Sequence, residues 1–386
     1  MRSGDARTPR SPKSADRWPR AFSTTPLSGT RAREPGGKWM LKGAIAGFGF
    51  ISGKGHHPAY RQRSDVEIVA IADVCPARLE AARAAAPQAR LYPDFRALLA
   101  RETQLDFIDV ATPPHAHAEI ALLALERGVH VLCEKPLTAS MAEARSLVDA
   151  ARAHRRVVFP AHNYKHAPVV KFAQQVVQSG RIGTVRAVTL NTFRTTHAKG
   201  VPEWKTDWRR DRKLAGGGIA MDHGSHSFYL TFAWLGSLPT HVTAKTLTLD
   251  RQWDTEDNLN AVLTFPNGFA HTFLTWTAGV RKVVYSLQGS DGALVIDDDD
   301  WELTTGKGGA KPAVEKGMIE SDWMDASHTR WFNSMFDQFK TAMRGGDFVN
   351  RELREAVACI QIIETCYRSS AEGSRELPLS VDVTSL

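Results

Sequence analysis

Residues 41–55 read LKGAIAGFGFISGKG, a short apolar strand running straight into a glycine-spaced turn. Gly47 and Gly49 suit a tight turn whose backbone N–H groups approach a pyrophosphate at a helix N-terminus. The third position of such a fingerprint is Ser52 rather than glycine or alanine, with Gly53 behind it. The next apolar run, EIVAIA at 67–72, ends in Asp73, 26 residues after Gly47. A carboxylate there is placed to accept from an adenosine ribose 2′-hydroxyl and to repel a 2′-phosphate. It can equally cap the helix that Pro76 opens, or do both. Strand, turn, helix, strand and acid together predict a dinucleotide site.

Outward from this stretch the same grammar repeats. Helices are predicted over 76–86, 94–100, 114–127 and 140–154, and strands over 106–111 and 129–133. Such alternation gives a doubly wound parallel sheet. Ligands bind beyond the carboxyl ends of its strands, and two strand ends carry polar clusters there. One is Thr112, Pro113, Pro114 and His115, where His115 reads as a helix-start cap or as a cofactor contact. The other is VHVLCEKPL at 129–137, where a buried-type strand meets Glu134, Lys135 and Pro136. Proline ends the ladder and restricts the residue before it, so an ammonium at 135 faces the crevice.

After about residue 160 the pattern changes. A helix near 168–178 leads to a long strand ending at Phe193, and then to strands over 241–249, 259–265, 268–277, 282–288 and 293–296. Asn267-Gly268 and Asp291-Gly292 are hairpin signals. The four acids at 297–300 read as a solvated turn, and two helices close the chain at about 329–344 and 351–369. The expected fold class is α/β, with a Rossmann doubly wound parallel sheet over 40–160. An α+β domain with a large open, mostly antiparallel sheet is expected over 161–386.

The chain has 386 residues, of which 42% are hydrophobic and 24% charged, and a net charge of +7. Of that charge, +6 belongs to residues 1–39, which also carry five prolines and little apolar periodicity. This segment reads as a disordered basic tail, with Met40 as the expected biological start. The folded part is then nearly neutral, which argues against a nucleic-acid footprint. No apolar run is long enough for a bilayer span. Cys75, Cys133, Cys359 and Cys366 form no CxxC pair and no metal-ligand spacing, so reduced thiols in a cytoplasmic protein and no metal site are expected.

A second charged cluster reads WRRDRKLAGGGIAMDHGSHSFYL at 208–230. The three glycines allow close backbone approach ahead of a helix. Asp222 and His226, four apart, share one helical face, with His223 off that face. The ordinary reading is a capping acid and a satisfied helix histidine. The alternative joins them to Lys135 as a proton-transfer set.

Four stretches carry a family likeness: GFGFIS at 47–52, ATPPHAH at 111–117, CEKPL at 133–137 and GGG-x₃-D-x₃-H at 216–226. In their residues and joint spacing the chain resembles the glucose–fructose oxidoreductase / inositol dehydrogenase / rhizopine-catabolism (Gfo/Idh/MocA) family over about 41–386. The resemblance implies a nicotinamide-dependent oxidoreductase acting on a secondary alcohol of a sugar or cyclitol. It implies Lys135, Asp222 and His226 as the catalytic set, and a peptide before Pro136 that is cis. Cofactor contacts would come from Gly47, Gly49, Phe50, Ile51, Asp73, Thr112, Pro113, His115, Glu134, Lys135, Trp208 and Arg209. Substrate contacts would come from Lys135, Asn163, Tyr164, Trp204, Asp222 and His226, with Lys165, His197 and Trp208 as further candidates. NAD is favoured over NADP by Asp73, although Arg78 could admit a phosphate. A homodimer or homotetramer through the C-terminal sheet is expected. The competing readings are an NAD-dependent glycosidase using transient oxidation, a cofactor-sensing regulator without catalysis, and an imine or enone reductase. HNYKH at 162–166 departs from the family pattern and leaves the substrate open.

Overall fold

In the computed structural model, which describes residues 40–306, 311–319 and 329–379, β1 (Leu41–Ala46) ends at the Gly47 turn. The expectations for residues 1–39 lie outside the described residues. A π-type turn at Ser52–His56 leads into α1 (His57–Arg61) and β2 (Val66–Ala72). There follow α2 (Pro76–Ala85), β3 (Arg90–Tyr92), α3 (Phe95–Arg101), β4 (Phe107–Val110) and α4 (His117–Glu126). β5 (His130–Cys133), α5 (Met141–His154) and β6 (Val158–Pro160) complete this half. The six strands are parallel in the order β3-β2-β1-β4-β5-β6, so the strand order reverses between β1 and β4 and opens a crevice there. β4 is buried at every position, as a strand between two helical layers requires, although one of its four residues is the acid Asp109. Polar caps set the helix starts: Asp94 accepts from the Ala97 N–H at 2.8 Å, and Ser140 from the Glu143 N–H at 3.3 Å.

The second half contains α6 (Pro168–Gln178), β7 (Val185–Phe193), α7 (Arg212–Ala215), α8 (Ser225–Leu235), β8 (His241–Leu247), β9 (Asn258–Phe265) and β10 (Gly268–Thr275). Then come β11 (Lys282–Gly289), β12 (Gly292–Asp297), β13 (Asp300–Thr305), β14 (Ala313–Met318), α9 (Thr329–Gly345), α10 (Arg351–Ala371) and β15 (Leu377–Pro378). Its strands form one sheet in the order β14-β13-β12-β11-β7-β10-β9-β8-β15, antiparallel throughout except where β10 runs parallel to β7. The Asn267-Gly268 turn joins β9 to β10 as its chemistry predicts. The acid run at 297–300 is the corner between β12 and β13, with Asp298 at φ 53°. β13 and β14 extend the sheet beyond the strands expected from sequence; β14 is exposed along most of its length and shows no apolar alternation.

α8 and α10 pack on one face of this sheet, and α8 is buried on nearly every side. On the other face Val262, Phe269 and Val295 are exposed, and among the described residues no element covers them. α9 crosses to the first sheet. Phe332, Phe336 and Phe339 pack there against Tyr60, Phe107 and Phe159, with ring centroids 5.2–5.9 Å apart. A helix from the end of the chain therefore finishes a layer begun at its start. No helix among the described residues is long and apolar enough to cross a membrane. The four cysteines are free and buried.

Candidate active site

A cleft of about 650 Å³ lies beyond the carboxyl ends of β1, β2, β4 and β5. Gly47 has φ +92°, and a Cβ there would sit 2.8 Å from the Ala111 carbonyl oxygen, so side chains are excluded twice over. Gly49 differs. A Cβ on it would meet no protein atom within 4 Å, yet the residue lines the cleft. The bare backbone there suits a ligand's close approach, and the buried, unpartnered Thr112 Oγ1 beside the cleft offers a further polar contact. These features fit a dinucleotide. Ser52 serves the third fingerprint position because its hydroxyl donates to the Gly47 carbonyl at 2.6 Å and is fully buried.

Asp73 accepts from the Phe48 N–H at 2.7 Å and the Cys75 N–H at 2.8 Å. It does not cap α2, whose cap residue is Cys75; it forms an Asx-type turn that ties the Gly-turn to the end of β2. Arg78 Nε donates to the Phe48 carbonyl at 2.8 Å, which brings the guanidinium to the same end of the cleft. Phe50, Ile51, Thr112 and Pro113 line the cleft as well. His115 does not. It is exposed on the one-turn helix Pro114–Ala116 and points away, while His117 is the histidine turned inward. Its ring nitrogens lie 2.9 Å from the Pro136 carbonyl oxygen and 2.7 Å from that of Thr112, bracing two cleft-lining turns. His115 and His117 lie two residues apart, and only their burial tells them apart.

The Lys135–Pro136 peptide is cis. Lys135 Nζ donates to Asp222 twice, to its carbonyl oxygen at 2.8 Å and to Oδ1 at 3.0 Å. Arg209 Nε reaches the same Oδ1 at 3.3 Å, and His223 Nδ1 lies 3.2 Å from Oδ2. Burial would raise the Asp222 carboxyl, but the charges of Lys135, Arg209 and His223 hold it well below the usual range. Asp222 sits on a π-type turn, Ala220–Gly224, that runs into α8. Asp222 and His226 both line the cleft, and the charge of the carboxylate is felt at His226. The ring nitrogen at ion-pair distance from the carboxylate is that of its chain neighbour His223, a contact that the four-apart spacing of Asp222 and His226 does not show.

His226 lines the cleft with its ring stacked on Tyr164 at 3.9 Å and its Nδ1 2.6 Å from Tyr229 Oη. Burial, followed by the charge of Lys135, lowers its pKa well below the ordinary 6.5. Asn163, Tyr164, His197, Trp204 and Trp208 also line the cleft. Lys165 does not; it pairs with Glu352 at 2.7 Å and with Glu355, beside His162. His162, Glu352 and Glu355 are grouped closely enough for a metal ion, but the Lys165 ammonium already sits among them.

Two features escaped the sequence reading. The triple glycine serves packing: a Cβ on Gly218 would lie 1.8 Å from the Glu256 carbonyl oxygen. Buried Glu256 Oε1 accepts from the Gly218 and Ala220 N–H groups at 2.9 and 3.1 Å, anchoring the turn that carries Asp222. Behind the crevice, His56 Nδ1 donates to Asp109 Oδ2 at 2.9 Å and Nε2 lies 3.2 Å from Glu134 Oε1. Tyr60 donates to Asp109 at 3.0 Å, and Phe332 of α9 stacks on the imidazole at 4.1 Å. Burial opposes the charge, but the two carboxylates prevail and raise His56 to about 10. The legible signal was Asp109, an acid inside the otherwise apolar strand FIDV.

The family model described as "Oxidoreductase family, NAD-binding Rossmann fold" matches residues 41–162, and the GFO/IDH/MocA C-terminal domain matches 170–295. The chain is 31% identical to D-glucoside 3-dehydrogenase of Escherichia coli (strain K12) over 246 residues, covering 59% of this chain and 68% of that protein. It is 37% identical to D-apiose dehydrogenase of Paraburkholderia graminis over 144 residues, but this match spans only 37% of the chain and 38% of the relative. Among solved structures, GenD2 from gentamicin A biosynthesis in complex with NAD superimposes with a TM-score of 0.75 at 26% identity, covering 92% of this chain and 100% of that one.

Proposed function

The chain belongs to the Gfo/Idh/MocA oxidoreductase family, and from that premise we propose that it oxidises, reversibly, a secondary hydroxyl of a sugar or cyclitol with NAD. The contact between Lys135 and Asp222, 3.0 Å apart in the same cleft as the bare Gly49 backbone, carries this reading. When bound, the nicotinamide accepts the hydride or returns it. Gly47, Gly49, Phe50 and Ile51 would hold the pyrophosphate end, Asp73 the adenosine ribose, and Thr112, Pro113 and Glu134 the nicotinamide end.

The remaining chemistry is the movement of one proton. Lys135, held by Asp222, donates a hydrogen bond to the reacting hydroxyl and stabilises the negative charge that develops on its oxygen. His226 receives the proton. Its lowered pKa keeps the imidazole neutral and able to accept, provided that Nδ1–H donates to the Tyr229 oxygen and leaves Nε2 open. Arg209 and His223 fix the Asp222 carboxylate. Asn163, Tyr164, Trp204 and Trp208 would bound the sugar, the tryptophans by stacking on its apolar face. The buried free thiols support a reducing, cytoplasmic compartment.

The test is NADH formation at 340 nm across pyranoses, inositols and amino sugars. Stoichiometric NADH is expected; glycoside hydrolysis without NADH, or no turnover of any of these, defeats the reading. Lys135→Ala should lower kcat by about 10²–10⁴-fold with a much smaller change in NADH affinity by fluorescence titration. Because protonation of His226 blocks its role, oxidation should fail only as pH drops through a value below 6.5. An acid limb of kcat/KM at or above 6.5 removes His226 from that role.

A further inference from the structure

The loop between β7 and α7 reaches back to the first half of the chain. Its own main chain closes it: the Gly200 N–H donates to the Thr206 carbonyl at 2.6 Å, and the Trp204 N–H to that of Val201 at 3.2 Å. Glu203 lies at the centre of this closed segment. Its carbonyl oxygen accepts from the Cys75 thiol at 3.5 Å, and its Oε1 lies 3.6 Å from Arg78 Nη1. Cys75 caps α2 and its N–H is bound by Asp73, two residues before it. An acid from the second half is therefore seated at the end of β2, where the adenosine ribose is read.

One residue holds both groups that could judge that ribose. The Phe48 N–H binds the Asp73 carboxylate at 2.7 Å, and the Phe48 carbonyl accepts from Arg78 Nε at 2.8 Å. Asp73 and Arg78 both line the cleft. Only 14% of the Arg78 side chain is exposed, and a Cβ on Gly53 would sit 3.4 Å from its Nη2, so the guanidinium lies along the glycine turn. A fixed guanidinium in this place is the group that grips a ribose 2′-phosphate. The carboxylate of Glu203 engages it first. Glu203 is 42% exposed, and ion pairs this open to water add little to stability. The pair matters instead for what Arg78 is free to bind.

We propose that Glu203 is a specificity-determining residue for the cofactor: by pairing with Arg78 it withholds the guanidinium beside Asp73 from a 2′-phosphate. Preference for NAD is then set by both halves of the chain, with Asp73 favouring the free 2′-hydroxyl and Glu203 disarming the arginine that would accept its phosphate ester. This role rests on Asp73 meeting the adenosine ribose and not on which sugar is oxidised.

The experiment measures binding by the full-length enzyme. NADH and NADPH are titrated by nicotinamide fluorescence, and the readout is the ratio of their dissociation constants, which needs no sugar and does not depend on the fraction of protein folded. Glu203→Gln should shift this ratio towards NADPH by about tenfold, the scale of one charge-assisted guanidinium–phosphate contact. In an Arg78→Gln background most of that shift should vanish, because no guanidinium is released. Added to Asp73→Ser, Glu203→Gln should carry the ratio further towards NADPH than Asp73→Ser does alone. An unchanged ratio in Glu203→Gln overturns the proposal, and so does a shift of equal size with and without Arg78. Both outcomes leave the dehydrogenase reading intact, which fails separately if NADH binds but no sugar yields it. Failure of the wild-type enzyme to bind either nucleotide overturns both.

Discussion

His56 shows how one side chain can hold a site it does not line. It sits between Asp109 and Glu134 with under a tenth of any of the three residues exposed, and Glu134 in turn lines the cleft next to Lys135. Because the folded-state pKa is raised from 6.5 to about 10, the imidazolium's contribution to stability is complete below 6.5 and is lost as pH rises through about 10. His56→Gln leaves two buried carboxylates without their cation, at a cost of about 3–5 kcal/mol. Denaturant unfolding across this range should show wild-type stability falling towards about pH 10 and the variant losing most of that dependence. Equal slopes for both proteins would remove His56 as the source.

At the scale of elements, the turn after β1 and the end of β2 act as one unit. Asp73 binds both through the N–H groups of Phe48 and Cys75, and it lines the cleft with carboxylate oxygens that each keep capacity to accept again. A ribose 2′-hydroxyl can donate to them, whereas a 2′-phosphate meets a fixed negative charge. Arg78 stands ready beside it, anchored on the Phe48 carbonyl. Asp73→Ser should therefore shift the ratio of kcat/KM for NAD over NADP towards NADP by about tenfold or more, through KM. An unchanged ratio means that discrimination lies in other contacts.

Across the whole molecule, the second sheet is covered on one face only among the described residues, and its other face presents Val262, Phe269 and Val295. We expect that face to meet a second copy, giving a homodimer or homotetramer. Val262→Glu with Phe269→Glu places charge in its centre and should yield a monomer in sedimentation or light scattering. An unchanged mass would move the interface elsewhere.

Local signals determined much of this protein. Glycine spacing, the acid after β2, the charged pair before Pro136 and the hairpin turns are each readable because backbone conformation and strand pairing act over a few residues. The parallel order of the first sheet follows from the alternation of strand and helix. Side-chain pairing across long sequence separations was decided only by the tertiary structure. The fold brought the Asp222 carboxylate against Lys135, Arg209 and His223 at once, and packing turned His117 inward and left His115 exposed. α9 returned to cover the first sheet. Contacts between residues far apart in sequence depend on where each chain segment is packed, and no local pattern encodes that.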